Sequence, residues 1–188
     1  MSVARLLRGT RRAKGWSQRE LATRANITQP ALAAIESNAH DTRGATLERL
    51  ISATGYGLFA LPTSAHCAAD WADQIYQELR SDRCSEAVAF RVLISLSDDL
   101  NNAEAGVRVA LCVAPPPPCG DTRFDAALAA VVEYHLTARN LPVPRWVDEE
   151  NRVLSFPWVA TQGVDEAEVP AAFLRHGVLL AESELASV

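Results

Sequence analysis

A mainly α-helical fold in two parts is what this chain of 188 residues predicts, and three observations carry that expectation. Residues 17–38 hold two short helical patterns separated by a turn signal at Asn26. Further along, apolar residues recur at three- and four-residue spacing over most of residues 70–140. Charge divides the chain as well. Residues 1–62 carry nine Lys and Arg against four acids, whereas residues 63–188 carry nine Arg against nineteen acids. The expected organisation is a helical domain over 1–62, a connecting helix or linker over 63–84 and a mainly helical domain over 85–188.

The first helix is expected over residues 3–13, with Leu6 and Leu7 inward and Gly15 as its C-terminal stop. Ser17 then caps a second helix, and Glu20 stands three positions on, as a capping box requires. Leu21 and Ala25 share its inner face. Asn26 falls where the chain turns sharply, a position that favours a left-handed backbone, which Asn tolerates. Ile27 is the apolar plug between the two helices. Thr28 caps the third helix, Pro30 lies in its first turn where a missing N–H costs little, and Leu32 and Ile35 point inward. Thr46 is expected to cap a fourth helix that ends near Gly55. Residues 56–61, apolar and closed by Pro62, read as a short strand that could pair with its copy in a second subunit.

The outward face of the third helix is slim and carries no acid: Thr28, Gln29, Pro30, Ala31, Ala33 and Ala34. A helix that enters the major groove of DNA needs such a surface. Gln29 can pair with an adenine edge, Thr28 and Pro30 can touch a thymine methyl group, and Gln18, opening the second helix, can reach a phosphate.

Ser17-Gln18-x-x-Leu21-Ala22, Ile27-Thr28-Gln29, Ile35-Glu36 and Thr46-Leu47-x-x-Leu50 together resemble the Cro/repressor-like (XRE) helix-turn-helix family over roughly residues 3–62. The resemblance implies a lambda-repressor-like domain of the five-helix type. It implies that Gln18 braces the phosphate backbone and that Thr28, Gln29, Pro30 and Ala33 face base edges. It implies that Asn38, Thr42 and Arg43 run along the phosphates, and that a buried Arg11–Glu36 pair ties the first helix to the third. The family usually has Gly where Asn26 stands and longer polar side chains at Pro30 and Ala33. Sequence preference here is therefore expected to lean on Gln29, on DNA shape and on a partner subunit.

A basic head on an acidic body suits a protein that presents one end to phosphate. Without an apolar run near 18 residues, no membrane span is expected, and with no signal-peptide core the expected location is the cytoplasm. Cys67, Cys84, Cys112 and Cys119 form no CxxC pair and match no common zinc spacing, so free thiols, no metal and no cofactor are expected.

In the second half, helices are expected over 70–86, with Trp71, Ile75 and Leu79 in step, and over 86–100, 106–113 and 121–140. Residues 115–118, four prolines, should be extended. In the helix over 121–140, Phe124, Leu128, Val131, Val132, His135 and Leu136 share one broad face, and His135 reads as a packed histidine. The Asp98-Asp99, Asp121/Asp125 and Glu149-Glu150 pairs read as caps or solvated charges rather than a catalytic dyad, and with no nucleophile elbow or phosphate-cradling loop the chain is not expected to be an enzyme. Gly120-Asp121-x-Arg123-Phe124-Asp125-Ala126, Leu141-Pro142-x-Pro144-x-Trp146 and Pro170-Ala171-Ala172-Phe173-x-x-His176-Gly177-Val178 resemble the C-terminal domain behind such motifs in actinobacterial regulators, some of them antitoxin-like. The two resemblances together imply a homodimeric repressor on a pseudo-palindromic double-stranded operator, the autoregulating antitoxin of a toxin–antitoxin pair that holds its toxin through the C-terminal half. The rival is a ligand-responsive regulator whose C-terminal domain binds a small molecule in a pocket lined by Trp146, Phe156 and Trp158.

Overall fold

The computed structural model of the chain describes residues 3–37, 39, 42–58, 60–81, 85–161 and 163–185. It is mainly helical, with nine α-helices among the described residues. None of them is long and apolar enough to cross a membrane. The chain divides into two compact units, Met1–Pro62 and Thr63–Val188.

Among its described residues, the first unit has four helices: α1 (Val3–Ala13), α2 (Gln18–Arg24), α3 (Gln29–Glu36) and α4 (Gly44–Ala53). Local chemistry sets their ends. The Ser17 hydroxyl accepts the Glu20 N–H at 3.2 Å, and the Glu20 carboxylate accepts the Ser17 N–H at 2.7 Å, so the capping box is closed in both directions. The Ser17 backbone N–H and the Ser17 hydroxyl, both donating to it, hold the Glu20 carboxyl below the usual range. Asn26 takes φ 51° between α2 and α3, and Thr28 caps α3 by accepting the Ala31 N–H at 3.3 Å. The core is Leu7, Leu21, Leu32 and Leu50 at zero exposure, with Ala22, Ala25, Ile35 and Ile51 around them. Ile27 packs half-buried on its edge.

Two local expectations fail here. Thr46 does not cap α4, because the helix already begins at Gly44, with Arg43 as its cap residue and no side-chain cap bond. Residues 56–58, 60 and 61 form no strand. A lone strand has no partner for its backbone groups, and no other extended segment lies among the described residues of this unit. Phe59 lies outside the described residues.

The second unit is wrapped around one helix. It contains α5 (Ala68–Arg80), α6 (Glu86–Asn102), α7 (Ala105–Cys112), α8 (Thr122–Thr137) and α9 (Ala171–Arg175). Rather than burying one face, α8 is buried throughout residues 124–133: Phe124, Ala126, Ala127, Leu128, Ala129, Ala130, Val131 and Val132 all have zero exposure. The four alanines let α5, α6, α7 and α9 approach closely. Residues 63–84, expected to connect the two parts, instead contribute α5 to this core through Ala68, Ala72 and Ile75.

Two two-residue strands, β1 (Trp158–Val159) and β2 (Val178–Leu179), pair in parallel. Backbone bonds beside them, Leu154 N–H to His176 O at 3.1 Å and Ala160 N–H to Leu179 O at 3.0 Å, pin the loop before β1 to the turn after α9. Gly177 sits in that turn at φ 72°, and a Cβ there would lie 3.1 Å from the Leu154 Cβ, so the close approach requires glycine.

Candidate nucleic-acid interface

The third helix presents the surface that the residue pattern requires. Leu32, Ile35 and Glu36 are buried, Thr28, Gln29, Pro30 and Ala31 are exposed, and Ala33 and Ala34 are half-exposed. Acids are absent from its first turn. The loop that follows is only partly described. Asn38 lies outside the described residues. Arg43 is exposed at the start of α4. Thr42 is half-buried with its hydroxyl turned inward, without a hydrogen-bond partner among the described residues.

Beneath this surface runs a chain of polar contacts. The Arg11 guanidinium meets the Glu36 carboxylate in bidentate fashion, Nε to Oε1 at 2.7 Å and Nη2 to Oε2 at 2.9 Å. A third donor, Nη1, reaches the Trp16 carbonyl at 2.6 Å. Glu36 is 2 % exposed, so the pair is desolvated and each partner depends on the other. Gln18 then donates Nε2–H to Glu36 Oε2 at 2.9 Å, and Gln29 donates Nε2–H to Gln18 Oε1 at 3.0 Å.

The chain fixes the amide orientation of Gln29. Its Nε2 keeps a second N–H, and its Oε1 has no hydrogen-bond partner within the described chain. One free donor beside one free acceptor is the pair that an adenine edge takes in the major groove. Gln18 likewise keeps one N–H for a phosphate. Sequence reading placed Gln18 and Gln29 separately and missed their contact. Gln18 and Gln29 each open a helix, eleven residues apart, and nothing in the local pattern of either helix points to the other.

The exposed charge of this unit is mainly positive. Arg12, Lys14, Arg19, Arg24, Arg43 and Arg49 are exposed, against exposed Glu48 and Glu20, which is occupied in its capping box. Arg24 stacks on the Trp16 ring with 4.2 Å between guanidinium carbon and ring centroid, which holds that cation against the unit at little cost in side-chain freedom.

In the second unit the residues expected to line an aromatic pocket do not come together. Trp146 is buried and donates its indole N–H to the Cys112 carbonyl at 2.8 Å. Trp158 packs on Phe124 with ring centroids 5.4 Å apart, beneath the Arg123 guanidinium. Phe156 is 85 % exposed. The acids are used structurally. Asp99 accepts the Trp71 indole N–H and the His66 N–H, both at 2.9 Å. Asp121 caps α8, and buried Asp125 pairs with buried Arg152 at 2.9 Å. Cys67, Cys112 and Cys119 are free thiols whose pKa burial raises; Cys84 lies outside the described residues.

Residues 7–61 match a family model described as Helix-turn-helix (HTH_3), the Cro/C1-type, XRE domain. The match falls inside the first unit and does not reach the second. The chain therefore carries the DNA-binding domain of a sequence-specific transcription regulator. No curated protein and no solved structure matches the chain.

Proposed function

We propose that the chain is a homodimeric repressor that reads a pseudo-palindromic operator in its own promoter, and that its second unit is the holding surface for a cognate toxin, which makes the protein an antitoxin. The observation that carries the DNA half is the run of contacts from Arg11 through Glu36 and Gln18 to Gln29. It orients one base-reading amide on a helix face with no acid. Each subunit's α3 would enter one major groove, with half-sites roughly 34 Å apart, one helical turn. Arg43 would then grip phosphate, as would Asn38 from the same loop; Thr42, its hydroxyl turned inward, would offer only its backbone N–H, while Thr28, Pro30 and Ala33 provide the slim contact to base edges.

Support for a protein partner comes from Phe156. An aromatic side chain 85 % exposed on a loop pinned at both ends is the kind of rigid anchor that dominates protein interfaces. Val153 at 45 % and Val159 at 54 % exposure flank it in sequence.

Footprinting of the full-length chain on genomic fragments tests the DNA half. Two protected half-sites about 10 base pairs apart are expected, with binding that weakens steeply as salt rises. Gln29→Ala should cost about 1–3 kcal/mol on the operator and relax base preference at one position of each half-site. Arg43→Ala should weaken all sequences about equally. Protection of no sequence above background would overturn the reading. The toxin half is tested by co-expressing the chain with the product of the adjacent reading frame. A complex that Phe156→Asp abolishes, with operator binding intact, is expected, and failure of neighbouring products to bind would overturn that half alone.

A further inference from the structure

A cavity of about 330 Å³ opens within the second unit, at the C-terminal ends of α6 and α8. Trp146, Phe156 and Trp158 are not among its lining residues. Asn101, Tyr134, His135, Arg139, Glu182 and Leu185 line it. Its volume lies at the small end of the range for small-molecule sites.

Its inner wall is fixed by hydrogen bonds. The buried Ser97 hydroxyl donates to the Leu185 carbonyl at 2.7 Å and lies 2.8 Å from His135 Nε2. A hydroxyl has one proton, so His135 is the donor in the second bond and carries its proton on Nε2. Burial, aided by Arg108 and Arg139, pushes the imidazole down to about 4, so this wall is uncharged at neutral pH.

Two charges remain at the cavity. Arg139 is exposed, reaches Asn101 Oδ1 at 3.4 Å and makes no ion pair with a carboxylate among the described residues. Glu182, also exposed, accepts a hydrogen bond from the Tyr134 hydroxyl. Its carboxylate keeps further lone pairs. A simple anion would meet Arg139 but be opposed by Glu182, and a simple cation would meet the reverse. A molecule with both charges satisfies both groups.

We propose that this cavity binds a small zwitterion of the free amino-acid class, its carboxylate on Arg139 and the Asn101 amide and its ammonium group on Glu182. Leu185, Ala138 and the Tyr134 ring leave an apolar wall for the side chain. The ligand would bridge the ends of α6 and α8 to the turn at Glu182–Glu184.

The test is a ¹⁵N-resolved NMR titration of the full chain with the free L-amino acids one at a time, and with acetate and methylammonium as single-charge controls. At least one amino acid should produce saturable shifts at the Asn101, Ala138, Arg139 and Glu182 amides. It should bind about tenfold or more tighter than either control, and Arg139→Met and Glu182→Gln should each weaken it about tenfold with melting curves unchanged. The proposal is overturned if no amino acid gives saturable shifts, if acetate binds as well, or if the shifts survive both substitutions.

Discussion

Glu36 links the stability of the first unit to the amide proposed to read DNA. Its carboxylate is almost fully buried, yet it accepts two bonds from Arg11 and one from Gln18. Removing one partner of such a pair costs more than the pair contributes, because a desolvated charge is left uncompensated. Arg11→Met should therefore lower the stability of the first unit by about 3–5 kcal/mol, read from the denaturant midpoint of that unit. The double variant Arg11→Met with Glu36→Leu should recover much of the loss, since it removes the charge along with its partner. That variant also separates the two roles: Gln18 loses its anchor, so operator preference should relax even where the fold is restored. A double variant that stays as unstable as the single one would mean that the cost lies in packing rather than in the unpaired carboxylate.

At the scale of the helices, short elements depend on their ends. α2 has seven residues and α3 eight, too few to be stable alone, so caps and tertiary contacts carry them. Ser17→Ala removes the hydroxyl arm of the capping box, leaves the arm from the backbone N–H at position 17 to Glu20 in place, and should cost about 1 kcal/mol, visible as faster amide hydrogen exchange at Leu21 and Ala22 while α1 and α4 are unaffected. These local features were legible in the sequence because they rest on residues three or four apart: Ser17 with Glu20, Asn26 at the turn, Pro30 in the first turn, Asp121 before α8. What spans longer separations was not legible. The Gln18–Gln29 contact needs two helices already packed. The burial of α8 on all sides over residues 124–133 was hidden because alanine counts toward neither face of a helical pattern, so Ala126, Ala127, Ala129 and Ala130 read as neutral until neighbours cover them. The apolar run 56–61 has the composition of a strand, but a strand needs a partner, and the local sequence does not supply one. Phe156 misled in the opposite direction: its apolarity predicts burial, whereas the pinned backbone around it holds the ring in solvent.

For the whole molecule, the two units differ in how they bury polar groups. The first concentrates them in the linkage from Arg11 to Gln29, beneath the surface proposed to meet DNA. The second distributes them through its core. Arg108 bonds the carbonyls of Leu100, Asn101 and Ala103 and so closes the C-terminal end of α6. Glu133 is shared by His176 and Arg175. Arg152 ties Asp125 to the Pro116 carbonyl, and Ser97 meets His135. Of these, His135 gives the second unit a defined response to acid. Burial, with Arg108 and Arg139 adding to it, lowers its pKa from 6.5 to about 4. The folded protein therefore leaves the imidazole neutral at a pH where the unfolded chain takes up a proton. The unfolded state binds more protons over that window, so stability is complete above about pH 6.5, falls as the pH drops toward 4, and loses no more from this group below that. The shift corresponds to about 3 kcal/mol across the window. Asp121, lowered from 3.8 by its bonds with Arg123, contributes its own loss only below its unfolded value, so the two are separable by pH. His135→Gln should flatten the slope between pH 6.5 and 4 in urea melts of the second unit and leave the more acidic limb in place. An unchanged slope in that variant would mean that the acid sensitivity comes from another group.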